Sequence, residues 1–119
     1  MKRAIITISD KGIVNVPNKS IRMTITEIAG LFDMYYLTAK KSIRSIEKSG
    51  IVSGDYSMNC TIEGQNVYPE YYGLEMIIAV AFRIHSPKAE IFRQWIIAKA
   101  ARPDIPATLG ISFQNAILN

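Results

Sequence analysis

The chain has 119 residues, 49% of them hydrophobic, which suits one folded domain with its own core. A single cysteine, Cys60, excludes an intrachain disulfide framework and a multi-cysteine zinc site, and a single histidine, His85, argues against a histidine-rich one. Fourteen basic residues against ten acidic ones leave a net charge of +4, a mild bias towards anionic partners.

No run approaches the roughly 18 continuous apolar residues of a membrane span. Leu74 to Ala81 is the best candidate, and Glu75 breaks it. No membrane partner is expected. Lys2 and Arg3 precede a short apolar run that ends at once in Ser9, Asp10, Lys11 and Gly12, with no small-residue cleavage site. The expectation is a cytoplasmic protein.

The N-terminus reads as a hairpin. Ala4 to Ser9 alternates and is β-branched, Asp10, Lys11 and Gly12 supply turn chemistry, and Ile13 to Val16 resumes the pattern. Up to Arg22 this segment carries Lys2, Arg3, Lys11, Lys19 and Arg22 against one acid, Asp10. A helix follows in TITEIAGLFD. Thr24 or Thr26 caps it, and Glu27 lies early, where a carboxylate suits the helix dipole. Gly30 inside it costs about 1 kcal/mol relative to alanine. Asp33, Met34 and Tyr35 read as a turn.

A second helix runs from about Tyr36 or Leu37 to Ser49, and Gly50 stops it. Ala39, Ile43 and Ile46 share one face, and Lys40, Lys41, Arg44 and Lys48 are expected on the opposite one. Tyr56 to Ile62 and Asn66 to Tyr71 read as a second hairpin, with its turn at Glu63, Gly64 and Gln65. GLEMIIAVAFRI is apolar nearly all round and reads as a buried helix. Ser86 caps a last helix, with Pro87 at its first position and Ala89, Phe92, Ile96 and Trp95 facing inward. Residues 103–119 carry two prolines, one charge and six large apolar side chains. They read as an arm that packs on its own domain or a neighbour, or as a segment closing the core.

Hairpin, helix, turn, helix, hairpin is the element order of a winged helix-turn-helix. The fold expected is therefore α+β, a winged helix-turn-helix-like domain over residues 1–102 with a C-terminal helical pair. In such a domain the second helix enters the major groove. Lys40, Lys41, Arg44 and Lys48 would neutralise phosphates there and release counterions. Arg44 could instead pair with a guanine edge, and Tyr35, Tyr36, Thr38 and Ser45 could reach bases or sugars. The second hairpin carries no Lys or Arg, so the basic N-terminal segment is expected to stand in for a cationic wing.

Two segments resemble known families. TITEIAGLFDMYYLTAKKSIRSIEKSG and YYGLEMIIAVAFRIHSPKAEIFRQWIIAKA resemble the RhuM virulence-associated family. In the second segment the resemblance lies in Tyr72, Leu74, Ile77, Ile78, Val80, Arg83, Ser86, Phe92, Arg93 and Trp95. It is also similar to the end of the Bro-N domain of phage antirepressors. The resemblance implies a bacterial DNA-binding protein in transcriptional regulation or in mobile-element or phage-related control, and no enzyme.

No catalytic residue, cofactor or metal is expected. No phosphate-binding glycine loop is present, and nothing partners His85 as a general base. Cys60 is expected to be a buried, inert thiol, and Arg83 and Arg93 to serve structural ion pairs. The expected partners are duplex DNA and a second copy of the chain, as a homodimer. The rival reading is a protein-interaction module, an antirepressor-like adaptor that uses its tyrosines and its apolar tail on a protein partner without touching DNA.

Overall fold

A computed structural model describes residues 3–101. The arm at 103–119 lies outside the described residues. The fold is mixed α+β, with four helices and two antiparallel hairpins among the described residues. In chain order these are β1 (Thr7–Ile8), β2 (Val14–Asn15), α1 (Ile25–Leu31), α2 (Tyr36–Ser49), β3 (Cys60–Glu63), β4 (Asn66–Pro69), α3 (Leu74–Ala81) and α4 (Pro87–Ala100).

The first hairpin is shorter than the alternation suggests. Only Thr7 with Asn15 and Ile8 with Val14 pair. The chain before it turns instead to the segment preceding α1, where the Arg22 amide donates to the Ala4 carbonyl at 3.2 Å.

Local chemistry sets the helix ends. Thr24 caps α1: its Oγ1 accepts from the Glu27 amide at 3.2 Å, and Glu27 Oε1 accepts from the Thr24 amide at 2.9 Å. This reciprocal box satisfies two amides that the first turn leaves without helical partners. Asp33, with φ 53°, takes the left-handed conformation in the turn between α1 and α2, which a short polar side chain tolerates. Gly50 ends α2 in the same region, with φ 77°. Ser86 caps α4, its Oγ accepting from the Ala89 amide at 3.1 Å.

The core joins all four helices. Ile28 and Phe32, Ala39 and Ile43, Met76, Ile77 and Val80, and Ala89 and Phe92 are completely shielded from solvent. Burying one such large apolar side chain contributes about 1.5–3 kcal/mol. Phe32 and Phe92 meet at 5.7 Å between ring centroids, in a tilted pair that joins the α1 side to α4. Trp95 stacks on Phe92 at 5.9 Å, half-buried, and Ile96 is half-buried too.

Arg93 has the structural role its sequence setting suggests. Its Nη1 donates to the carbonyls of Ala81 at 2.6 Å and Ile84 at 2.9 Å, and its Nη2 pairs with Glu90. These bonds satisfy carbonyls left open at the end of α3.

The second hairpin pairs Cys60 with Pro69 through Glu63 with Asn66. Glu63 is therefore the last strand residue and not part of the turn. The loop is Gly64–Gln65, and a two-residue loop of this kind needs the positive φ of 64° that Gly64 supplies. Tyr72, just past β4, exchanges two 2.9 Å backbone bonds with Met23, just before α1. That bridge fixes the hairpin beside the α1–α2 pair. Among the described residues, no helix is long and apolar enough to cross a membrane.

Candidate nucleic-acid interface

Successive helix residues turn by about 100°. Starting from the buried Ala39 and Ile43, that step carries Lys40, Arg44, Lys48 and Lys41 in turn around one side of α2, from its flank to the face opposite the core. It carries Ser45 and Thr38 just past Lys41, on the other side of the helix from Arg44. The four basic residues therefore lie within one arc of about 100°, away from the core stripe, and what divides them is the second hairpin, which covers Lys40 and Arg44. Thr38, Lys41, Ser45 and Lys48 are exposed, whereas Lys40 and Arg44 are half-buried.

The flank packs on the second hairpin. Lys40 Nζ donates to Glu63 Oε2 at 2.7 Å. Arg44 lies over the Tyr68 ring, 3.7 Å from its centroid, with Nη2 3.6 Å from Glu63 Oε1. Its Nη1 donates to the Tyr72 hydroxyl at 2.7 Å. That hydroxyl donates in turn to Glu47 Oε1 at 3.2 Å, while the Tyr56 hydroxyl donates to Glu47 Oε2 at 3.1 Å. Arg44 Nε is buried without a hydrogen-bond partner.

These contacts shift the acids involved. The hydrogen bond from Lys40, outweighing partial burial, brings the Glu63 carboxyl below the usual range. Burial, reinforced by the Glu47 charge, pushes the Tyr72 hydroxyl up and keeps it neutral. Arg44, Glu47 and Tyr72 thus form a polar joint between α2 and the hairpin, with an aromatic ring laid over the guanidinium.

The far side of α2 has a different character. Among the described residues, Lys41 and Lys48 have no acid within ion-pair distance. A third cation arrives from outside the helix. Arg83, two residues past α3, donates from Nη1 to Ser45 Oγ at 3.1 Å. The sequence favours a structural ion pair for Arg83, and its position on this face is the main residue that periodicity missed. A contact between residues 38 apart leaves no local signal.

A groove of about 640 Å³ runs between α2 and the hairpin, with Lys41, Arg44, Glu47, Lys48, Tyr56 and Tyr68 among its lining residues. A larger one, about 870 Å³, is lined by residues such as Lys19, Leu74, Trp95 and Lys99 and includes none of α2. Tyr35 and Tyr36 stand at the start of α2, 86% and 45% exposed. The remaining N-terminal cations divide. Arg3 makes a bidentate pair with Glu27 at 2.6 and 2.9 Å, and Arg22 lies 3.8 Å from Asp55, whereas Lys11 and Lys19 are exposed.

Cys60 is exposed and not buried as expected, because among the described residues no layer covers the outer face of the small hairpin. His85 is exposed as well. Among the described residues, no three His, Cys, Asp or Glu side chains gather as a metal site would require. Comparison of the chain with protein-family models, with curated proteins and with solved structures finds no match.

Proposed function

We propose that the domain binds duplex DNA as a winged helix-turn-helix. In this reading α1 and α2 are the paired helices, β3–β4 is the wing, and α2 enters the major groove. The observation that carries it is the outer face of α2. Lys41 and Lys48, joined by Arg83, form a cationic surface without a paired acid among the described residues, and the exposed Ser45, which holds Arg83, and Thr38 lie beside it. The cations neutralise phosphates, and the two hydroxyls with Tyr36 and Tyr35 are placed for sugars and base edges. Lys40 and Arg44 are assigned to the hairpin joint.

The biological setting follows the RhuM-like and antirepressor-like segments: transcriptional regulation, or mobile-element or phage-related control. A homodimer would present two copies of α2 to paired half-sites. The test is fluorescence anisotropy with a mixed-sequence duplex. Lys41→Ala with Arg83→Ala should weaken binding by about tenfold or more at low salt, and unchanged affinity would reject the assignment.

A second reading has its own observation. Tyr35 is 86% exposed and Leu37 74% exposed, both at the start of α2. An antirepressor-like adaptor would use them on a protein partner. That reading gains if the wild type shows no DNA binding at low salt.

A further inference from the structure

Two of the four cations of α2 meet the same carboxylate. Glu63 Oε2 accepts from Lys40 at 2.7 Å, and Glu63 Oε1 lies 3.6 Å from Arg44. The two cations differ in what else holds them. Arg44 is also fixed by the Tyr72 hydroxyl and the Tyr68 ring. For Lys40, Glu63 is the one side-chain partner among the described residues. Lys40 also adjoins Lys41 of the outer face, and its side chain is 29% exposed on a flexible four-carbon stem. Its ammonium is the cation free to choose between two anions.

We propose that Glu63 is a specificity-determining residue that occupies Lys40 as an internal substitute for phosphate and so lowers binding to DNA of any sequence. The inference rests on the DNA-binding reading above. A phosphate that took Lys40 would have to displace the Glu63 carboxylate and leave it bare against the polyanion, a like-charge contact that works against binding. Sequence-independent affinity follows the number of phosphates neutralised. Removing one cation from that count weakens the background and leaves Thr38, Ser45 and the tyrosines to discriminate. The same bond holds the hairpin on α2, which explains a wing that carries an acid where a cation would serve phosphate contact better.

The experiment uses the full chain as wild type, Glu63→Gln, Lys40→Ala and the double variant. Each is titrated against a mixed-sequence duplex by fluorescence anisotropy between about 50 and 200 mM salt, with thermal unfolding as the check on folding. Glutamine keeps the shape of Glu63 and removes its charge. Glu63→Gln is expected to bind several-fold tighter at the lowest salt, with a log–log slope steeper by about 0.9, the mark of one added phosphate contact. Lys40→Ala is expected to keep the wild-type slope, and the double variant to lose the gain. A folded Glu63→Gln with an unchanged or shallower slope overturns the proposal. So does a shallower slope in Lys40→Ala alone, which also decides the matter should Glu63→Gln unfold. If the wild type binds no DNA, the DNA-binding reading itself falls, an outcome distinct from either of these.

Discussion

Tyr72 shows how one side chain connects sequence to architecture. Its backbone bridges to Met23, its ring is wholly buried, and its hydroxyl stands between Arg44 and Glu47. Replacing it with phenylalanine keeps the ring and leaves a guanidinium and a carboxylate short of a partner. Tyr72→Phe should lower stability by about 1–3 kcal/mol in urea unfolding, the usual cost of an unsatisfied buried group. The sign of the alkaline dependence is also fixed. The folded hydroxyl titrates above its ordinary value because of burial and then the Glu47 charge, whereas in the unfolded chain it ionises near about pH 10. Its contribution is full below that pH and declines as pH rises towards the folded value. Tyr72→Phe should therefore lose less stability than wild type between about pH 9 and 11. Parallel profiles would contradict this account.

Among the elements, α1 is short and depends on its ends. The Thr24–Glu27 box closes its first turn, so Thr24→Ala should cost about 1 kcal/mol, measured by thermal or urea unfolding. An effect near zero would mean that the first turn is held by packing alone. Features of this local kind were legible in the sequence. Gly50, Ser86 and Pro87 marked helix ends, and Ala39, Ile43 and Ile46 marked a buried stripe, because each depends on neighbours within a turn or two. The sequence left Thr24 and Thr26 both open as the cap, and the structure decides for Thr24, whose box partner Glu27 lies three residues on. What was not legible is long-range. A helical wheel places Lys40 and Arg44 off the core, but only the hairpin, some 20 residues on, decides that they meet Glu63. Arg83 reaches Ser45 for the same kind of reason, through the packing of α3 on α2. The strand pairing proved shorter than the alternation, because the chain flanking the first hairpin pairs with other segments.

On the scale of the whole molecule, the core and the charge distribution divide the labour. Helices α1 and α3 pack on α2 and bury its inner stripe, and the hairpin engages its flank. What remains outward is one face with Lys41, Lys48 and Arg83. The most direct test of that assignment is the salt dependence of binding to a mixed-sequence duplex, for wild type beside Lys41→Ala with Arg83→Ala. Each phosphate contact contributes about 0.9 to the log–log slope. The account predicts steep salt dependence in the wild type and a slope shallower by about 1.8 in the double variant. Equal slopes for the two folded proteins, or no binding by the wild type at low salt, would contradict it.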